Sequence, residues 1–269
     1  MAPPDARVVL VQSVLEGDTA AAAFLQAHGY VQMRHFRRMV IDLDAPSGVP
    51  DWPGGIGVHS FSPQDDLEAS IRASRDAFHD HYGFVSGSID QEIQRTQHRI
   101  ENDPSFDPSL WFLATEAGTG EIVGLCFCAP AASGDKTTGY IQTLGVRPAW
   151  RRRGLGRALL RHAFGSFGQR GTPRVALHVD AQSLTGATQL YESCGMYVDE
   201  LSHEYQLELR PGIDLTATAR TDGSSSRQAT RRIGTGDTCP SSTPRRRRLG
   251  TSIGSTRQSI GRCPSGSDR

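Results

Sequence analysis

A chain of 269 residues, 37% apolar and 22% charged, can bury the core of one large domain or two small ones. It contains no apolar run near the roughly eighteen residues that cross a bilayer. It starts Met1-Ala2-Pro3-Pro4-Asp5 without signal-peptide character and has a sparse, odd set of five cysteines, so it reads as a soluble cytoplasmic protein with no disulfide scaffold. The formal net charge of zero averages two unlike pieces: residues 1–210 hold 18 basic and 25 acidic side chains, residues 211–269 eleven arginines and four aspartates.

The first elements in chain order are a β-branched strand over residues 7–14, an alanine-rich helix over about 18–28 ended by Gly29, and an alternating strand that follows. Residues 45–54 form a Pro/Gly linker. A strand over 56–61 then precedes helical segments at 65–78 and 89–102, and strands follow at 109–116, 121–129 and 139–146. An amphipathic helix over 154–169 leads to a strand at 174–180, a helix at about 184–194 and an alternating last strand. This order predicts a mixed α/β sheet with helices on both faces, over residues 55–210.

Sliding the chain on itself by 166 residues places Val9 on Val175, Val11 on Leu177, Gly29 on Gly195 and Ile41 on Leu207 without a gap. Residues 1–44 therefore read as the closing part of an earlier copy of the 55–210 domain, left by a mis-assigned start or a truncated gene. Past Tyr205 there is no aromatic residue, and the Ser/Thr/Gly/Arg/Pro-rich 211–269 reads as a disordered basic tail. Arg245–Arg248 admit a nucleic-acid contact as an alternative, and the abrupt change of composition near 211 also admits translation in a shifted frame.

The sharpest local signal is Val146-Arg-Pro-Ala-Trp150-Arg151-Arg152-Arg153-Gly154-Leu155-Gly156-Arg157, between an apolar strand and an Ala/Leu-rich helix. Glycines there let backbone N–H groups converge, and the helix adds the positive end of its dipole, a setting for a pyrophosphate. It is not the dinucleotide fingerprint, because Leu159 stands where a third glycine belongs, and it lacks the G-K-[ST] ending of a P-loop. Downstream, Ala187-Thr-Gln-Leu190-Tyr191 leads to Gly195-Met196 at the end of the next helix.

Those two motifs, in that order and with a strand between, resemble the GNAT superfamily of acetyl-CoA-dependent N-acetyltransferases over about residues 55–210. The repeat adds a resemblance to the tandem, mycothiol synthase-like GNAT proteins of high-GC actinobacteria. The resemblance implies acetyl-CoA as co-substrate and no metal. It implies that Leu144, Gly145 and Val146 meet the acyl and pantetheine part, that the loop from Arg151 through Arg152, Arg153, Gly154, Leu155 and Gly156 to Arg157 holds the pyrophosphate, and that Tyr191 is the general acid. A phenol of pKa about 10 stays protonated until a thiolate departs. Phe78, His79, Asp80, His81 and Tyr82 would shape the site for a small primary amine.

This chain departs from the family pattern twice. Ser183 stands where many members have an asparagine, and Gly139-Tyr-Ile-Gln-Thr143 offers no carboxylate base. His178 on the neighbouring strand is the leading replacement, with the cluster Asp76 to Tyr82 as the alternative. The same departures leave open a second reading, a regulatory or pseudo-enzyme module that binds acyl-CoA. The His79-x-His81 pair has no third ligand placed by spacing and reads as part of the amine site, not as a metal pair.

Overall fold

The computed structural model of the protein describes residues 4–44, 50–81, 83–85, 87–182 and 186–215. The elements are β1 (Val8–Leu15), α1 (Thr19–Ala27), β2 (Val31–Asp42), β3 (Ile56–Ser60), α2 (Leu67–Phe78), α3 (Ile89–Asn102), β4 (Trp111–Glu116), β5 (Ile122–Ala129), β6 (Thr138–Val146), α4 (Leu155–Gln169), β7 (Arg174–Asp180), α5 (Ala187–Ser193) and β8 (Tyr197–Arg210). The strands form one sheet in the order β1-β8-β2-β7-β6-β5-β4-β3. Among the described strands β6 and β7 form the parallel pair and the others pair antiparallel. The mixed sheet with helices on both faces follows the expected order. Strand β4 starts two residues late, because Asp107 caps a 3₁₀ turn over Pro108–Leu110.

Two apolar layers pack on opposite faces of the sheet. On one, Leu155, Ala158, Leu159, Leu160, Ala163, Phe164 and Phe167 of α4 are buried at helical spacing, in a cluster with Val123, Cys126, Ile141, Val175 and Tyr191. Phe167 lies so close over Gly139 of β6 that a Cβ there would stand 2.4 Å from the ring. On the other face, Trp111, Leu113, Leu125 and Phe127 meet Ala73 of α2, with Ile100 and Phe106 packed alongside. Trp111 and Phe127 stack with centroids 4.1 Å apart. Cys126 and Cys128 share the α4 face as fully buried thiols, and burial raises the Cys128 pKa well above the ordinary thiol range.

The first forty residues join this sheet. Strand β2 lies between β7 and β8, paired antiparallel with both, and its Met39 and Val40 are fully buried. In the β2–β8 ladder Phe36 faces Ser202, a separation of 166, while Arg34 faces Glu204 and Arg38 faces Glu200. Moving each partner by 166 therefore maps this ladder onto itself. Strand β1 forms the sheet edge, and Leu10, Val11, Leu15 and Phe24 on β1 and α1 are exposed. Among the described residues no helix is long and apolar enough to cross a membrane. The tail beyond residue 215, including Arg245–Arg248, lies outside the described residues.

Candidate active site

The site begins where two parallel strands part. β6 and β7 pair only from Thr138↔Arg174 to Ile141↔Leu177. Beyond that, β6 stays with β5 and β7 stays with β2, so a wedge opens between residues 142–146 and 178–180. At its apex β6 bulges: Thr143 faces Phe127 and Ile141 faces Cys128, leaving Gln142 without a cross-strand partner. On the α2 side the wall is tight, because a Cβ on Gly145 would come within 2.7 Å of the Phe78 ring and 3.1 Å of Ala77.

At the open end of β6 the chain passes through Pro148–Trp150 into α4. Gly154 is the N-cap, with φ of 88°, and no side chain caps the helix, so its first-turn amides keep their free donors. Arg152, at φ of 65°, is the non-glycine residue with positive φ among those described. Alternation of left-handed residues with ordinary ones turns successive N–H groups toward one side, the geometry of an anion nest. Gly156 is close-packed, since a Cβ there would lie 3.1 Å from Leu190 of α5. The two glycines thus have different tasks, one of backbone conformation and one of helix-to-helix approach.

The three arginines of the loop also differ. Arg151 gives both terminal nitrogens to Asp80, at 2.6 and 2.9 Å, and bonds the carbonyls of Ala77 and Val146. These bonds hold the Asp80 carboxyl down at about 2. Arg151 and Asp80, expected at the cofactor and at the amine respectively, instead clamp the loop onto the C-terminal end of α2. Arg147 does the same one turn earlier through Asp76 and Glu121. Arg152 and Arg153 are exposed, and Arg153 covers the Trp150 ring at 4.8 Å.

Tyr191 on α5 belongs to the same buried cluster as Ile141, Leu177 and Val179, which flank the wedge apex. Tyr191 is 8% exposed, and its hydroxyl is not among the unpartnered buried polar atoms of the described residues. Burial, with a smaller contribution from the Cys126 thiol, pushes its pKa up to about 12. His178 lies on the face of β7 opposite that cluster, and its Nδ1 is 2.9 Å from the hydroxyl of Tyr140. Burial and the positive Arg38 of β2 lower the His178 pKa below its ordinary value. Tyr140 belongs to no local motif. The signal for it was a phenol and an imidazole on adjoining strands, 38 residues apart.

Past α2, Phe78 stands edge-on to His81 at 4.8 Å, and burial lowers the His81 pKa while Asp80 and Asp180 oppose the shift. His79 is exposed, with Nδ1 on the Asp76 carbonyl. The described residues hold no group of three or more side chains placed to bind a metal ion. Tyr82 and Ser183 lie outside the described residues. Leu144, Gly145 and Val146 lie on the stretch of β6 that pairs with β5 and not with β7, with Leu144 and Val146 packed against the α4-face cluster.

Residues 72–196 match the model of the Acetyltransferase (GNAT) family. A mycothiol acetyltransferase of Thermobispora bispora is 37% identical over 66% of this chain and 59% of its own length. One from Streptomyces coelicolor is 32% identical over 71% of this chain and 59% of its own length. The chain thus spans about three fifths of the curated relatives it matches. The crystal structure of a GCN5-related N-acetyltransferase from Sphaerobacter thermophilus superposes with a TM-score of 0.67 at 37% identity, covering 81% of this chain and 65% of that one. A tandem GNAT protein from the clavulanic acid biosynthesis pathway shares the fold, with a TM-score of 0.59 at 15% identity, over 76% of this chain and 65% of that one.

Proposed function

We propose, from the premise that this chain belongs to the GNAT acetyltransferase family through residues 72–196, that it transfers an acetyl group from acetyl-CoA to a primary amine of a small molecule. The observation that carries the reading is the uncapped start of α4, with left-handed Arg152 and Gly154, beside the wedge between β6 and β7, with Tyr191 buried in the core cluster that includes Ile141 and Leu177. The residues fit the co-substrate: free amides and a helix dipole suit a diphosphate, and a parted pair of strands suits an extended arm. Acetyl-CoA supplies the activated acyl carbon; the chain binds, orients and moves protons.

In this reading the amides of residues 152–157 hold the diphosphate, and residues 144–146 of β6 receive the arm. The Gln142 amide at the bulge meets the negative charge that grows on the carbonyl oxygen. Tyr191 gives its proton to the leaving sulfur, a role its raised pKa keeps it ready for across the neutral range. His178 accepts the proton of the attacking amine at Nε2, in the tautomer whose Nδ1–H donates to Tyr140. The names of the relatives make the amino group of a mycothiol precursor the first acceptor to try. Residues 1–44 are, in the same proposal, the closing strands of a preceding repeat.

A thiol-release assay with acetyl-CoA and a panel of primary amines tests this. Wild type releases thiol only with an accepted amine, and Tyr191→Phe lowers kcat by about 10²-fold. No affinity for CoA would remove the proposal. Affinity without turnover on any amine would leave the second reading, a CoA-binding module.

A further inference from the structure

Beside the wedge, the face of the sheet that carries His178 continues from β7 across β2 to β8 as two rows of side chains. One row is His178, Arg38 and Glu200, and the next is Asp180, Phe36 and Ser202. Each residue stands directly opposite its neighbour in the row and so shares its face. His178 is exposed, and Arg38, Glu200 and Phe36 are half-buried. Asp180 pairs with Arg34. Arg38 gives its guanidinium to Asp199, the residue that bulges from β8, and not to Glu200 opposite. Among the described residues Glu200 makes no hydrogen bond and no ion pair. Its charge is felt at His178, where burial and Arg38 lower the pKa and Glu200 raises it.

A half-buried carboxylate beside a guanidinium committed elsewhere has lost part of its hydration and gained no partner. The Arg38–Asp199 pair is neutral as a whole, so beyond His178 the row carries the negative charge of Glu200. We propose that Glu200 is a specificity-determining residue of the transfer: it takes a second cationic group of the acceptor while His178 faces the reacting amine, so the favoured acceptors are dicationic amines. Neighbouring strands lie about 4.8 Å apart, so the backbones of His178 and Glu200 are about 10 Å apart, within the span of an extended diamine of about six carbons. Phe36 in the adjoining row and the aliphatic stem of Arg38 offer its methylenes an apolar floor. An acceptor with a carboxylate at that end would meet Glu200 as a like charge and be rejected. The inference rests on the acetyl-transfer reading with His178 at the reacting amine and adds to it a second point of recognition.

Steady-state kinetics of the full chain with acetyl-CoA separates the two claims. The acceptors are diaminohexane, hexylamine, which lacks the second charge, and aminohexanoate, which carries the opposite one. Wild type takes diaminohexane with a KM about tenfold below that of hexylamine and with a similar kcat, the mark of binding remote from the reacting atoms. Glu200→Gln cuts that ratio to about one or two, Glu200→Asp keeps part of it, and Glu200→Lys turns the preference toward aminohexanoate. Melting temperature and CoA affinity equal to wild type in Glu200→Gln show the loss to be one of recognition. Equal KM values for diaminohexane and hexylamine in wild type, or a ratio that survives in Glu200→Gln, overturn the role of Glu200 and leave the acetyl-transfer reading standing. Absence of turnover with every amine overturns both.

Discussion

Tyr191 and His178 make opposite demands on the same pH range. Tyr191 must hold a proton, and burial keeps it there to about 12. His178 must lack one, and burial together with Arg38 lowers its pKa below the ordinary 6.5, so the neutral form persists to more acid pH. The acid limb of kcat/KM is therefore expected below pH 6.5, with no alkaline limb from Tyr191 short of about pH 12. His178→Gln should abolish that limb and lower kcat by about 10²-fold, whereas Tyr191→Phe should lower kcat and leave the limb in place. A pH–rate profile of the three proteins checks this; an acid limb unmoved by His178→Gln would pass the role of base to His81. Residue types and order made Tyr191 legible from sequence, because its motif is local. The Tyr140 contact was not, since it depends on which strands become neighbours.

At the scale of elements, the loop and α2 are one unit. Asp80 is exposed, so its ion pairs with Arg151 add little to global stability, but they fix where the loop sits. Asp80→Ala should raise the Kd for CoA by about three- to tenfold while the melting temperature moves by no more than about 2 °C, measured by titration and calorimetry. An unchanged Kd would mean the loop is held without the clamp. The α4 face gives the converse case: Gly139→Ala drives a methyl into Phe167 and should cost about 1 to 3 kcal/mol in urea unfolding, with the loop untouched. Helix and strand spans were readable from periodicity, as α3 at 89–102 and β7 at 174–180 illustrate. The Arg151–Asp80 pairing was not, because it joins positions 71 residues apart through a turn that only packing defines.

For the whole molecule, the position of β2 is decisive. A strand with two paired edges and fully buried Met39 and Val40 is part of the core. Each such side chain is worth about 2 to 5 kcal/mol on truncation, against a total stability of about 5 to 15 kcal/mol. Removing residues 1–44 should therefore leave a protein without a cooperative melting transition by circular dichroism. A deletion variant that melts like the full chain would show β2 to be dispensable. Both strands of that segment were legible in the sequence, because apolar residues alternate and Gly29 ends the helix between them. The sequence could not place β2 between β7 and β8, since alternation defines a strand but not its neighbours.

Amide hydrogen exchange of the full chain, with and without saturating CoA, reaches the central claim without needing the acceptor amine. The amides of residues 152–157 should exchange at least tenfold more slowly with CoA present, and those of 142–146 should follow. Bound CoA that slows exchange elsewhere and leaves the start of α4 unprotected would contradict the account.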